Sequence, residues 1–367
     1  MSEPVTGPGC GAAAVDRTEH PVLIIGTERS GSNLLRLILN EHPDLAIPHP
    51  PHLMRYLAPL AASYGDLTVE ANRREVVRDA LTILRRHIHP WLCTVDEEAV
   101  TRRALPSVFG VVAEIYEQYR AWAGKPRWGC KSTFTIHYVD EVLADYPGAR
   151  FLWLVRDPRD VAVSSKSSVF NPCHPYRTAR LWREQQELGL AVLERCGGAR
   201  VRRVRYEDLV TGPETEIRSI CAFLDLRFDE RMLRHHESSA ARETAALSES
   251  WHNTDRPITT ARVGRYRLGL SAADRRLVEA ETAHLLPRFG YADDGAADGA
   301  VNRHPSAVAV GIREMAMRCV VECHSMREDR NYRRRVARDT TVRLLRARAL
   351  LRTLARRSPS WRTEHVP

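Results

Sequence analysis

A loop of small and polar residues near the start of the chain carries the first chemical signal. Residues 26–33 read Gly-Thr-Glu-Arg-Ser-Gly-Ser-Asn, between a β-branched stretch at 22–25 and apolar residues at helical spacing from Leu34. Strand, glycine-containing turn and helix in this order predict an anion site, because backbone N–H groups and the positive end of the helix dipole point at one place. We therefore expect the N–H groups of residues 30–33 to bind an anion beside Arg29.

The same loop departs from the phosphate loop of nucleoside triphosphatases, G-x-x-x-x-G-K-[ST]. Gly26 and Gly31 fit that pattern, but Ser32 stands where the lysine belongs and Asn33 where the magnesium-binding hydroxyl belongs. A kinase-like P-loop phosphotransferase is thus an alternative function, but the loop lacks the lysine and the magnesium-binding hydroxyl that such an enzyme uses.

Four segments of the chain together resemble the sulfotransferase superfamily, most closely its bacterial members and the protein-tyrosine sulfotransferases. The segments are residues 24–44 with Arg-Ser-Gly-Ser-Asn and a later His-Pro, residues 151–164 with Arg-Asp-Pro-Arg, residues 204–209 with Tyr-Glu-Asp-Leu, and Val-Gly-Arg-Tyr at 263–266 with Phe-Gly-Tyr at 289–291. The resemblance implies an enzyme that moves a sulfuryl group from 3′-phosphoadenosine 5′-phosphosulfate (PAPS) to a hydroxyl group of a small-molecule, carbohydrate, lipid or tyrosine acceptor. It implies no metal ion.

The resemblance also implies a role for each matching residue. Arg29 and the loop are expected at the 5′-phosphosulfate, and Arg156 with Ser164 at the 3′-phosphate. Lys131, one of only three lysines, resembles the lysine with which tyrosine sulfotransferases neutralise the bridging oxygen of the leaving group. The residues predicted to bind the donor are Arg29, Ser30, Gly31, Ser32, Asn33, Arg156, Ser164, Tyr206 and Arg265.

The general base is not fixed by the motifs. Many relatives carry a glutamate in the loop after the first helix, but Pro50 stands at that position here. His49 and His52 flank it, and an imidazole with a pKa near 6.5 suits base catalysis at neutral pH. We predict His52 or His49 as the base, with His52 favoured, and a carboxylate such as Glu41 as the alternative. The predicted catalytic residues are His52, His49, Lys131 and Arg29.

Strand-like and helix-like stretches alternate along the chain. Apolar stretches at 22–25, 127–130, 150–155 and 201–204 predict strands, and helical periodicity fills the intervals between them. Strands that alternate with helices predict an α/β fold, here a P-loop-like parallel sheet with helices on both faces.

Composition divides the chain into four parts. We predict a flexible segment at 1–20, a sulfotransferase domain at 21–292, a linker at 293–300 and an Arg-rich helical extension at 301–367. The extension holds 16 arginines against 6 acidic residues, whereas the rest of the chain is nearly neutral. This distribution argues against nucleic acid as a partner of the main domain and leaves a protein partner or an acidic surface for the extension. A non-catalytic scaffold acting through the extension is the remaining alternative.

Cysteine spacing and hydropathy predict a cytoplasmic protein. The eight cysteines form no regular framework, so we expect reduced thiols. The first twenty residues lack the apolar stretch of a signal peptide, and no run of 18 apolar residues predicts a transmembrane segment.

Overall fold

The computed structural model describes residues 20–291 and 305–357. The segment predicted to be flexible, apart from His20, and the predicted linker at 293–300 lie outside the described residues. The extension is described from residue 305 to residue 357.

A five-stranded parallel sheet forms the centre of the fold. Its strands run in the spatial order β2-β3-β1-β4-β5. Their bounds are β1 Val22–Gly26, β2 Leu45–Ala46, β3 Arg127–Lys131, β4 Arg150–Val155 and β5 Val201–Arg205. β1 lies between β3 and β4, with Val22 opposite Gly129 and Arg150. The carboxyl ends of these strands therefore meet at one edge of the sheet, where α/β folds bind ligands.

Both faces of the sheet are buried by helices. Leu23 and Ile25 of β1 belong to one apolar cluster, while Val22 and Ile24 belong to the other. Because successive side chains of a strand point to opposite faces, this division places an apolar core on each side. Each such side chain contributes about 1.5–3 kcal/mol when it is fully buried.

The helices of the main domain connect and cover these strands. The first group comprises α1 Ser32–Asn40, α2 Leu53–Leu57, α3 Ala61–Tyr64, α4 Glu70–Arg85, α5 Glu97–Arg103, α6 Val108–Trp122 and α7 Val139–Asp145. The second comprises α8 Pro158–Ser165, α9 Pro175–Cys196, α10 Tyr206–Thr211, α11 Pro213–Phe223, α12 Ser239–Leu247, α13 Tyr266–Gly269 and α14 Ala272–Thr282. Short 3-10 helices cover Ala58–Leu60, Thr133–Tyr138, Glu230–Glu237, Glu249–Trp251 and Pro287–Phe289.

The predicted α/β class and parallel sheet are confirmed. The four predicted strands are β1, β3, β4 and β5, but sequence reasoning missed β2, whose two residues are too few for a periodic signal. The turn after β4 has the helix cap that its sequence favours. The Asp157 side chain accepts the Arg159 N–H at 2.9 Å, and Pro158 is the first residue of α8.

The Arg-rich extension forms two helices, α15 Ala307–Glu328 and α16 Tyr332–Arg357, that lie against the main domain. On α16, Arg352 pairs with Glu75 and Asp79 of α4 at 3.0 and 3.1 Å. Its guanidinium also lies 4.4 Å above the ring of Tyr64. The arginines of the extension are thus partly used within the chain itself.

Polar contacts also fix α15. Arg313 donates two hydrogen bonds to Asp274 of α14, at 2.7 and 2.9 Å. Glu314 accepts the backbone N–H groups of Cys173 and His174 just before α9. Only part of the apolar surface of the two helices is buried by this packing. Val310, Val321, Val342 and Leu345 are buried, whereas Met315, Val320, Leu350, Leu351 and Leu354 are exposed.

No helix in the described parts of the chain combines the length and the apolar character needed to cross a membrane.

Candidate active site

The loop between β1 and α1 depends on two glycines. A Cβ on Gly26 would lie 2.3 Å from the Leu154 carbonyl oxygen, and one on Gly31 would lie 2.5 Å from the Tyr206 ring. Gly31 also has a φ of 94°, in the left-handed region. Arg29 adopts a φ of 72° without being glycine, a conformation that is held only where the surroundings enforce it.

The loop presents its anion-binding groups from α1. Ser32 and Asn33 form the first turn of α1, whose N–H groups have no acceptor within the helix. Both residues and Gly31 line a cavity at the carboxyl edge of the sheet. Ser30 differs from the prediction, because its N–H donates to the Thr27 carbonyl at 3.3 Å and its side chain is buried behind the loop.

Arg156 connects three of the motif segments. It donates to the carbonyls of Arg29 at 3.1 Å and Arg262 at 2.6 Å, and its guanidinium lies 4.4 Å above the Tyr206 ring. Arg29 in turn donates from Nε to the Ser164 hydroxyl at 3.1 Å. The residues predicted for the two ends of the donor are therefore in direct contact.

Asp160 fixes the segment that carries the last motif. Its carboxylate accepts the N–H of Gly264 at 2.8 Å and that of Tyr266 at 2.9 Å. Burial raises the pKa of Asp160, while Arg156 and these two N–H groups lower it. This anchoring brings Arg265 and Arg262 to the cavity.

Glu207 connects the Tyr-Glu-Asp-Leu segment to two other motif segments through hydrogen bonds. It accepts the Asp157 N–H at 3.0 Å and the Tyr291 hydroxyl at 2.9 Å. Burial raises the pKa of this carboxyl. The motifs thus meet through buried hydrogen bonds, and Tyr206 is held against the loop as a consequence.

Lys131 ends β3 and is buried in the wall of the cavity. Burial, opposed by Glu28 and reinforced by the charges of Arg36 and Arg29, lowers the pKa of its ammonium to about 8. Glu28 also lines the cavity, and its Oε2 is buried without a hydrogen-bond partner among residues 20–291 and 305–357. A carboxylate and a desolvated lysine therefore line the same cavity, and the carboxylate raises the pKa of the lysine.

The two predicted histidines differ in their surroundings. His52 has a φ of 54°, and its Nδ1 lies 3.2 Å from the Ser132 hydroxyl. Neither ring nitrogen of His49 has a partner in the described structure, and the ring packs 5.2 Å from that of His87. Burial, followed by the charge of Lys131 for His52 and by His87 for His49, holds both pKa values well below the usual 6.5. The expectation of a pKa near 6.5 is therefore wrong for either histidine.

A cavity of about 770 Å³ brings these groups together. Ser30 is the only predicted site residue absent from its lining. The predicted residues that do line it are Arg29, Gly31, Ser32, Asn33, His49, His52, Lys131, Arg156, Ser164, Tyr206 and Arg265. The carboxylate predicted as the alternative base, Glu41, is not among the lining residues, whereas the carboxylate of Glu28 is.

Sequence reasoning missed five further lining residues of chemical interest. Glu28 and Arg262 lie within or beside the motif segments, so their positions in the sequence could have indicated that they line the cavity. Arg55, His87 and Arg338 come from segments without a motif, and only the packing of α2, α4 and α16 brings them to the cavity.

Within the described residues, no group of three or more histidine, cysteine, aspartate or glutamate side chains could hold a metal ion. The prediction of a metal-free reaction remains a prediction.

Removing the Asp160 carboxylate should destabilise the site and the fold together. Asp160→Ala leaves two buried N–H groups without acceptors, at about 1–3 kcal/mol each, so we expect the free energy of unfolding to fall by about 2–6 kcal/mol. Urea denaturation measures this, with Asp208→Ala as the control, since Asp208 forms an exposed ion pair with Arg205. Equal stability of the two variants would contradict the anchoring role.

Comparison with known proteins identifies the family. The sequence model of the sulfotransferase family matches residues 21–230. The chain is 27% identical to a putative protein-tyrosine sulfotransferase of Caenorhabditis briggsae over 60% of this chain and 70% of that protein. It is 24% identical to the protein-tyrosine sulfotransferase of Drosophila melanogaster over 74% of this chain and 52% of that protein.

A solved structure supports the same fold. The sulfotransferase domain of the Synechococcus PCC 7002 olefin synthase superposes with a TM-score of 0.54 at 21% identity, over 78% of this chain and all of that domain. The four motif segments, the parallel sheet and the family match agree, and the chain belongs to the sulfotransferase family.

Proposed function

We propose that the chain transfers a sulfuryl group from PAPS to the hydroxyl group of an acceptor, with Lys131 at the point of transfer. One observation carries this proposal: the four motif segments converge on a single cavity in which Lys131 lies between a cluster of arginines and a group of histidines. A donor with a phosphate at one end and a phosphosulfate at the other matches the arginine side.

The arginine side fits a dianionic nucleotide. Arg29 and Arg156 are tied to each other and to Ser164, so their charges are fixed before a ligand arrives. Guanidinium groups bind phosphate oxygens through paired N–H bonds and stay charged throughout the physiological pH range. We assign Arg156, Ser164, Arg262 and Arg265 to the 3′-phosphate. Arg29 and the first turn of α1 bind the 5′ end.

When bound, PAPS supplies the sulfuryl group and a leaving oxygen that gains negative charge as its bond to sulfur breaks. Lys131 is suited to neutralise that charge, because a desolvated ammonium interacts more strongly with a developing anion than one in water. Glu28 opposes the effect of burial and so helps to keep Lys131 protonated at neutral pH. Glu28 is thus a positioning residue in this proposal.

His52 is the preferred base. If Nδ1–H donates to the Ser132 hydroxyl, Nε2 is unprotonated and can accept the proton of the acceptor hydroxyl while the new O–S bond forms. The low pKa keeps the imidazole neutral at pH 7, which is the form that a base needs. His49 is the second choice, because neither of its buried ring nitrogens has a partner that would fix its tautomer.

Nucleotide binding separates this proposal from its alternatives. We expect the bisphosphate product, 3′-phosphoadenosine 5′-phosphate, to bind and to raise the melting temperature in the presence of EDTA. Binding of ATP that requires magnesium, with none of the bisphosphate, would support a phosphotransferase instead. The absence of binding to either nucleotide would support the scaffold acting through the extension.

Arg156→Ala should weaken binding of the bisphosphate product. Loss of a desolvated, charge-assisted contact is worth on the order of 2–4 kcal/mol, which corresponds to roughly a 30- to 1,000-fold increase in Kd. Calorimetry measures this, with Arg180→Ala as the control because Arg180 forms an exposed ion pair on α9. Unchanged affinity, or equal binding of adenosine 5′-phosphate by the wild-type protein, contradicts the assignment of the 3′-phosphate.

The pH profile should report the charge of Lys131. Its pKa of about 8 means that it is protonated below pH 8 and loses its proton above it, so kcat/KM for the donor should fall as pH rises through about 8. Glu28→Gln removes the carboxylate that raises this pKa and should move the fall to lower pH, while Glu28→Asp should largely restore it. Lys131→Ala should lower kcat by about 10²-fold or more.

Titration of Lys131 by NMR tests directly whether Glu28 raises its pKa. The sequence has only three lysines, Lys125, Lys131 and Lys166, so ¹³Cε-lysine NMR gives three signals that Lys131→Arg can assign. An unchanged Lys131 titration in Glu28→Gln rules out the positioning role.

His52→Asn should impair chemistry and spare nucleotide binding. Loss of a general base lowers kcat/KM by about 10²- to 10⁴-fold, whereas affinity for the bisphosphate product should stay the same. Because burial and the charge of Lys131 hold the pKa of His52 well below 6.5, the acid limb of the wild-type profile should lie well below pH 6.5 rather than between 6 and 7. His284→Asn, in an exposed pair with Glu187, is the matched control. Near-normal turnover of His52→Asn would contradict His52 as the general base and leave His49 and Glu28 as candidates for that role.

A further inference from the structure

We infer that the acceptor end of the cavity contains a second anion subsite, formed by Arg55 and Arg338 beside His49 and His87, that binds a carboxylate or phosphate group of the acceptor. The inference rests on the proposed function, because that function assigns the other end of the cavity to the donor. It narrows the acceptor to a hydroxyl compound that carries its own negative charge.

Arg55 is the first part of the subsite. It lies on α2, and its guanidinium stacks 3.8 Å above the ring of Phe134. Stacking occupies the face of the guanidinium and leaves its N–H groups pointing outward in the plane. Among residues 20–291 and 305–357, no carboxylate or carbonyl accepts them. A half-buried cation therefore faces the cavity without a partner from the described protein.

Arg338 is the second part, and it comes from the C-terminal extension. It lies on α16, is 8% exposed and lines the cavity. Asp339 accepts from its Nε and Nη2 at 3.0 and 2.8 Å. Nη1 has no hydrogen-bond partner in the described parts of the chain. Since the side chain of Asp339 is 43% exposed, water screens its charge, whereas Arg338 is buried.

Unsatisfied imidazole groups lie beside these arginines. His49 is 7% exposed, and both of its ring nitrogens lack partners within the described residues. A buried polar group without a partner destabilises the protein, and an acceptor atom from a ligand or an ordered water would offset that cost. His87 packs against His49 and is close enough to Arg338 for that charge to lower its pKa.

Acidic groups do not cancel this charge. Three acidic residues line the cavity: Asp160 is bound to two backbone N–H groups beside Arg156, Glu28 acts on Lys131, and Glu249 pairs with His324 with 68% of its side chain exposed. Glu243 pairs with His89 outside the lining. Arg55, Arg338 and Lys131 line the same cavity, and after burial the charges of Lys131 and Arg55 lower the pKa of His52, so this end of the cavity has a positive potential. An anionic acceptor is drawn to such a surface, and a neutral one gains nothing from it.

An aromatic pair supplies the apolar part of the same wall. Phe170 and Trp251 stack with their ring centroids 5.1 Å apart and lie within the lining. Trp251 also contacts His49, at 5.4 Å between ring centroids. The subsite therefore suits a compound with a planar or apolar body between its hydroxyl and its anionic group. The family match ends at residue 230, so it does not reach Trp251 or Arg338.

Anion binding to the nucleotide-loaded protein tests the subsite. With the bisphosphate product saturating the donor end, we expect calorimetry with inorganic phosphate to detect saturable binding at constant ionic strength set by KCl. Arg55→Gln and Arg338→Gln should each raise the Kd for phosphate about tenfold, equivalent to about 1.4 kcal/mol. Arg55→Lys should recover part of the affinity. Arg180→Gln serves as the matched control, and melting temperatures confirm that each variant folds. Benzoate in place of phosphate tells whether a carboxylate is preferred.

Two results overturn the inference. One is no saturable phosphate or benzoate binding by the nucleotide-loaded wild-type protein. The other is binding that both glutamine variants retain unchanged, which would mean that the ion occupies only the sulfuryl position near Lys131. Failure of the bisphosphate product to bind contradicts the proposed function instead, and the glutamine variants compared without nucleotide then still test the two arginines.

Discussion

The buried carboxylate of Asp160 is the constraint on which the rest of the site depends. It holds the backbone of Gly264 and Tyr266, residues more than one hundred positions further along the chain, against the start of α8. That contact places the Arg262 carbonyl where Arg156 donates to it, and Arg156 also binds the loop after β1. A single acidic side chain thereby connects the sheet edge, the anion loop and the last motif. Burial disfavours its charged form, and the N–H groups together with Arg156 favour it.

A crowded backbone gives the loop its shape. Tyr206 fills the space that a side chain on residue 31 would need, and the guanidinium of Arg156 lies 4.4 Å from the centroid of the same ring. The strained conformation of Arg29 is kept because its carbonyl accepts from Arg156 and its Nε donates to Ser164. The positive charges of the donor end are thus preorganised, and little reorganisation energy is required when an anion binds.

The sequence predicted those features that depend on local pattern. The apolar stretch at 151–155 predicted a central strand, and the order of motifs indicated which strand ends carry the site. The sequence pattern does not show that the Ser30 N–H donates to the Thr27 carbonyl, because such a contact depends on the folded shape of the loop. The histidine pKa values could not be read from the sequence, since burial is a property of the packed structure. Arg55 and Arg338 are 283 positions apart, and no periodicity or motif predicts that such residues share a wall.

The residues that line this wall are synthesised at different times, because they lie far apart in the sequence. Residues 20–291 contain the sheet, the anion loop and every arginine assigned to the donor, while Arg338 belongs to a helix that starts at residue 332. At 5–20 residues per second, α16 begins to be synthesised about 2–8 s after the main domain is finished. Arg338 is therefore the last residue of the cavity lining to be synthesised, after Arg55 and every arginine assigned to the donor. A ligand that binds only the folded state stabilises that state by mass action, so donor bound in this interval would favour the folded form of residues 20–291.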